Sequence, residues 1–160
     1  MTIEIVQGVV RHFGPRVTTD GRMTEVHKHG DAVELQVTFD AEDLPIGGST
    51  TDLTLPSVPA DSIIESAEIE TLTVFTTSDA AALNVGLEQA DGTEIDDNGI
   101  DAAVAVTAID RVGERVVCDG ALIGTSIGSA VGQLKVYETT GTFTAGRARL
   151  TLRIKPPHGV

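Results

Sequence analysis

Between Leu83 and Ile154 apolar side chains recur at every second position, in short runs separated by polar turns. Leu83, Val85 and Leu87 follow this spacing, as do Leu134 and Val136, and Leu150, Leu152 and Ile154. A period of two puts one set of side chains on a buried face and the other on an open face, which is the pattern of a half-buried strand. Asp91-Gly92, Asn98-Gly99, Asp119-Gly120, Thr140-Gly141 and Ala145-Gly146 fall between the runs. Pairs of this kind supply the positive φ angles of hairpin turns at little steric cost. The stretch therefore reads as the second half of an antiparallel β-sandwich. Upstream, Val33, Leu35, Val37 and Phe39 alternate with Glu34, Gln36 and Thr38. Ala67, Ile69, Thr71, Thr73 and Phe75 alternate with Glu68, Glu70, Leu72 and Val74. The second set turns from charged to apolar along the strand. Such a strand runs from an exposed edge into a region covered on both faces, or into a subunit contact. Many short strands with regular turns predict an all-β fold, an antiparallel β-sandwich or jelly-roll body.

Two stretches fit this pattern less well. Residues 99–110 are rich in alanine, and Ile100, Ala103, Val104 and Ala108 would share a helical stripe, so a short helix or helical turn is expected there. Residues 120–130 are small and glycine-rich and read as a loop. Leu53 to Leu55 read as a short strand ended by Pro56. Residues 1–30 differ from the rest. Ile3, Ile5, Val9 and Val10 suggest a local strand, Gly14-Pro15 breaks it, and few apolar residues follow Phe13. The division expected is an extended N-terminal arm with a short strand over 1–30 and a β-sandwich body over 31–160.

Aromatic residues make up only 3% of the chain and tryptophan is absent, so the core must be aliphatic. Such a core buries less area per residue than an aromatic one, a shortfall that oligomerisation offsets. The formal net charge is −13, which repels phosphate and argues against nucleic-acid binding. No Lys or Arg occurs between Lys28 and Arg111. Basic residues gather at Arg11, Arg16, Arg22 and Lys28, and again at Arg147, Arg149, Arg153 and Lys155. The plain account is a solvated acidic surface. The sharper account is a basic arm and a basic strand that pair with acidic neighbours in an assembly. One cysteine, Cys118, allows no intramolecular disulfide. No secretory leader and no membrane-spanning run stand out, so a soluble protein made in the cytosol is expected.

Candidate chemistry is sparse. His27 and His29 sit two apart, with His12 and His158 elsewhere, short of the three or four ligands that zinc sites use. Asp91, Glu94, Asp96, Asp97 and Asp101 could offer oxygens to calcium, but the EF-hand register is not met, and two adjacent hairpin turns explain the same residues. Gly124 to Gly128 matches G-x-S-x-G with Ser126 at the centre, yet that motif requires a strand–turn–helix context in an α/β fold. Cys118 reads as a small buried apolar residue. No catalytic residue, cofactor or metal is assigned.

The segments LNVGL (83–87), ADGT (90–93), IDDNGI (95–100), GALIG (120–124), IG (127–128) and GTFTAG (141–146) resemble small structural proteins of tailed bacteriophages, as does the opening GVVRHFGPR (8–16). The resemblance implies a head decoration, or cement, protein with a β-sandwich body that forms homotrimers on the outer capsid surface. Its partner would be the major capsid protein, whose subunits it would bridge, with no enzymatic role. The capsid or intersubunit contact is expected in the arm, at Arg11, Phe13, Arg16 and Arg22. The alternative is a capsid fibre or a host-glycan-binding β-sandwich module. Sugar rings stack on Trp or Tyr, and only Tyr137 is available for that.

Overall fold

The computed structural model describes residues 2–6, 9–13, 16–17, 23–29, 32–45 and 57–157, with side chains from residue 32 onward. Among the described residues twelve strands follow one another: β1 (Thr2–Val6), β2 (Val9–Phe13), β3 (Arg16–Val17), β4 (Met23–His29), β5 (Ala32–Asp40), β6 (Ser57–Val58), β7 (Ile63–Thr77), β8 (Ala82–Glu88), β9 (Glu94–Ala105), β10 (Arg115–Val117), β11 (Gly132–Thr140) and β12 (Phe143–Lys155). Short 3-10 turns at Ala41–Asp43 and Val106–Ala108 are the only helical elements among the described residues.

The strands form a six-stranded sheet in the order β10-β7-β12-β5-β4-β3 and a four-stranded sheet in the order β6-β11-β8-β9. All the pairings are antiparallel. β1 and β2 pair only with each other, as a separate two-stranded sheet. The alternation read from the sequence sets the inner faces. Val37, Phe39, Ile69, Phe75, Leu150 and Leu152 of the larger sheet join Leu83, Val85, Leu87, Leu134 and Val136 of the smaller in one continuous core. Each such side chain, fully buried, contributes about 1.5–3 kcal/mol. The fold is an all-β sandwich, as the sequence predicts.

Three of the four phenylalanines meet at one end. The Phe75 ring lies 6.3 Å from that of Phe39 and 5.2 Å, edge-on, from that of Phe143. Gly146 makes this possible. Its φ is 143° and the Phe75 Cα stands 2.8 Å from where a Cβ would be, so only glycine fits. The Ala145-Gly146 pair is thus no hairpin turn. It lies inside β12, where the register with β7 shifts. Asn98-Gly99 likewise lies inside β9, at irregular pairing with β8, whereas Asp91-Gly92 and Thr140-Gly141 do lie in connections between strands.

Of the short helix or helical turn expected over 99–110, only a 3-10 turn at Val106–Ala108 forms. β9 continues to Ala105, and a single 3-10 turn follows. Pairing of Ala82 with Ala105 and of Leu83 with Val104 outweighs the helix propensity of the alanines. The loop at 120–130 is a loop as expected, stitched to β9 by the Gly120 and Leu122 amides, which donate to the carbonyls of Ile100 and Gly99. The short strand expected at Leu53 to Leu55 lies outside the described residues.

Candidate functional site

The two outer faces differ in how their charges are used. On the six-stranded sheet, β12 runs between β7 and β5, so its arginines have acidic residues on both sides. Arg149 binds the Glu70 carboxylate through both Nε and Nη2. Arg115 reaches Glu68 at 2.8 Å and Glu70 at 3.5 Å. Arg153 meets Glu65 at 2.9 Å, and Arg147 meets Asp40 at 3.6 Å. The Arg149 hydrogen bond holds the Glu70 carboxyl below its usual range, with charge attraction from Arg149 and Arg115 adding to it. This corrects one expectation. The basic strand read as pairing with acidic neighbours in an assembly finds its acidic neighbours within its own chain.

The four-stranded sheet is different. Its strands carry Glu88, Glu94, Asp96, Asp97, Asp101 and Glu138 against one basic residue, Lys135. Leu83, Val85 and Leu87 point into the core, which puts Asn84, Gly86 and Glu88 on the outer face. Alternation alone would leave those three in water. Instead Asn84 is 7% and Glu88 1% exposed. The cover is β9 itself. A Cβ on Gly86 would collide with the backbone of Asp96 and Asp97, so the bulged part of β9 lies directly over this glycine.

That cover builds a polar recess. The Tyr137 hydroxyl donates to Asp97 Oδ2 at 2.7 Å and accepts from Asn84 Nδ2 at 2.9 Å. Asn84 Oδ1 accepts from the Ala103 amide at 2.8 Å, at a residue whose φ is 55°. Burial raises the Tyr137 phenol pKa, and the bond to Asp97 raises it further. The Lys135 ammonium lies 5.1 Å from the Tyr137 ring centroid and 3.5 Å from Glu88 Oε2. Glu88 Oε1 is buried and has no hydrogen-bond partner. Glu94, opposite Glu88 across the β8–β9 pair, is exposed at the rim.

The other residues singled out in the sequence are dispersed. Asp91 accepts from the Thr93 amide at 2.9 Å in the turn before β9. Asp101 is buried, within hydrogen-bonding range of the Cys118 thiol. Burial raises the Asp101 carboxyl, and burial together with the Asp101 charge pushes the thiol well above its ordinary value. Cys118 is therefore the buried residue the sequence suggests. Among the described residues no three His, Cys, Asp or Glu side chains come together in a way that could hold a metal ion. Ser126 Oγ accepts from the Gly128 amide, in a loop bridged to Ile63 and Ile64, so the strand–turn–helix setting of a serine nucleophile is absent there.

Arg11 and Phe13 fall on β2, Arg16 on β3, and His27 and His29 on β4. The side chains of residues 1–31 lie outside what the structure describes, and Arg22 and His158 lie outside the described residues altogether. The sequence reading missed Asn84, Glu88 and Lys135. No local signal marks them, because their burial comes from a strand that folds over them.

No protein-family model and no curated protein sequence matches the chain. Solved structures do. One is a chain in the capsid asymmetric unit of cyanophage Pam1, 14% identical, with a TM-score of 0.54 over 90% of this chain and all of that one. Another is a chain in the capsid of Ralstonia phage GP4, 18% identical, with a TM-score of 0.46 over 85% of this chain and 92% of that one. At these identities the likeness to the Pam1 chain establishes a shared fold.

Proposed function

We propose that this protein is a non-enzymatic structural component of a phage virion. In this reading it binds the outer surface of the capsid, bridges major capsid protein subunits and stabilises the head. The observation that carries the proposal is the fold shared, along 90% of this chain, with a chain of the Pam1 capsid. The sandwich itself supports a mechanical role. Its core is one continuous, mostly aliphatic block, and the arginines of the larger sheet are engaged in ion pairs within the chain. A body of this kind contributes through bound area. A protein that binds the assembled shell and not its separated subunits stabilises the shell by mass action. In this reading the chain is a homotrimer, and the N-terminal arm, residues 1–30 with Arg11, Phe13, Arg16 and Arg22, makes the capsid or intersubunit contact.

The test is co-sedimentation of the purified protein with heads of its phage assembled without it, followed by heating of decorated and bare heads. Saturable binding with a higher temperature of DNA release is expected. Heads that neither retain the protein nor gain stability would sink the proposal. Reproducible hits on a glycan array would then favour the host-binding module.

A further inference from the structure

We propose that the recess on the outer face of the four-stranded sheet, bounded by Glu88, Glu94, Asp97 and Tyr137, docks a basic chain segment, and that the occupant is the N-terminal segment of a second copy of this protein. This rests on the reading above, in which the chain assembles, and says which surfaces meet.

The first observation is charge. Glu88 and Glu94 are partners across β8 and β9, so two carboxylates stand side by side on one face, an arrangement that repels. Asp97 reaches the same face, where it accepts from Tyr137. Among the described side chains Lys135, 3.5 Å from Glu88, is the single cation set against these three. The second observation is independent of the first. The Glu88 side chain is 2% exposed and its Oε1 lacks any donor. A buried carboxylate oxygen left without a hydrogen bond is costly, so the recess is incomplete as it stands. A guanidinium or ammonium group brings both the positive charge and the missing N–H donors. The described carboxylates are not arranged to hold a bare metal ion, which points to a side chain that carries its own donors.

The third observation concerns the occupant. Residues 1–30 hold four of the eleven basic residues and only three of the twenty-four acidic ones. The arginines of β12 are engaged within their own chain, so the other cluster of basic residues in the sequence is that of residues 1–30. Its β1–β2 hairpin joins neither main sheet, and β2 runs beside β4 without pairing with it. A two-stranded sheet is marginal alone in water and gains from a surface to lie on. Arg11 stands on β2 and Arg16 on β3. Contact between the arm of one copy and the face of the next joins unlike patches. Such contacts close into rings, a trimer among them, where the rotation between copies closes.

The experiment is light scattering of the free, full-length protein after size exclusion, at low and high salt. Wild type, the arm variant R11E/R16E and the face variant E94K/D97N are compared. Asn at 97 keeps an acceptor for Tyr137, and far-UV circular dichroism checks each fold. Glu94→Gln serves as a milder face variant. Wild type is expected to assemble and to weaken with salt. Each variant alone should self-associate at least about tenfold more weakly, the loss of a charge pair at a partly desolvated interface. An equal mixture of the two should recover a two-chain complex, because one intact arm then meets one intact face. The proposal is overturned if wild type is monomeric, if either variant assembles like wild type, or if the mixture stays monomeric. A monomeric wild type that loses head binding on E94K/D97N would assign the recess to the capsid instead. No heads are present in the scattering experiment. A chain that assembles but ignores heads would therefore remove the capsid reading alone, and a monomer that binds heads would remove only this one.

Discussion

Gly86 is the residue on which the polar recess depends, and Gly86→Ala is the sharpest way to test it. The added methyl group would collide with the carbonyl carbon of Asp97 and with the carbonyl oxygens of Asp96 and Asp97. All of these are backbone atoms, so no side-chain rotation relieves the contact. The bulged part of β9 would have to rise by about 1 Å to regain van der Waals distance. That lift carries Asp97 away from Tyr137, now 2.7 Å apart, and breaks the bond. Overpacking costs about 1–3 kcal/mol and loss of a hydrogen bond to a charged group about 1.5–3 kcal/mol, so the loss expected is ~4 kcal/mol. With a urea m-value of ~2 kcal/mol/M the unfolding midpoint falls by ~2 M. A second readout comes from the sequence. Tyr137 is the only tyrosine and there is no tryptophan, so the phenolate absorbance of this one residue is cleanly resolved. Its pKa, raised in the native protein, should return toward 10.0 in the variant. Gly132→Ala is the control, because its nearest contact is a flexible Leu87 methyl at 3.1 Å and the cost should stay below ~1 kcal/mol. If Gly86→Ala costs less than ~1 kcal/mol and leaves the tyrosine titration unmoved, then β9 does not cover this face and the argument for the recess fails.

Three further outcomes follow from the core and the buried groups. Phe75→Ala should cost about 4 kcal/mol in urea unfolding, from the cavity and the two lost ring contacts, and a double-mutant cycle with Phe143→Leu should show coupling of ~1 kcal/mol. A loss under ~1.5 kcal/mol would mean that the aromatic cluster is loosely packed. Asp101 has its carboxyl pKa raised above 3.8 by burial, so the folded state binds its proton more tightly than the unfolded state. Its contribution to stability is therefore greatest below 3.8 and is lost as pH rises through the folded value. The stability difference between Asp101→Asn and wild type should move in favour of the variant over that window and then level off, whereas a pH-independent difference would contradict the burial. Cys118, 3% exposed and disfavoured as a thiolate, should react with a thiol reagent only as fast as the protein opens. Labelling at the rate of a free thiol would contradict its position.

Much of the body was legible from the sequence, because strand alternation is a local property. Val33 to Phe39, Leu83 to Leu87 and Leu150 to Ile154 reveal their buried faces through spacing alone, and the structure buries Leu35, Val37, Phe39, Leu83, Val85, Leu87, Leu150, Leu152 and Ile154 as that spacing requires. Dipeptide chemistry was a weaker guide. Asp91-Gly92 makes its turn, but the same reasoning misplaced Asn98-Gly99 and Ala145-Gly146, where glycine serves close approach inside a strand. Helix propensity failed at residues 99–105 because pairing with β8 is a non-local gain that no window of sequence contains.

The candidate site was legible only in part: Glu94, Asp97 and Tyr137 stand out in the sequence, but the buried groups they gather around do not. Asn84, Gly86 and Glu88 sit on the alternate positions of β8 and read as solvent-facing, yet a bulge in β9 covers them. The basic residues of β12 read as free for a partner, yet strand order sets them between Glu70 and Asp40. The sequence by itself determined that the chain is all-β, mostly aliphatic in its core and acidic over most of its length. Side-chain alternation and net charge are sums over single residues. Tertiary structure decided which charges are spent and which are left over, because register and strand order bring together residues tens of positions apart.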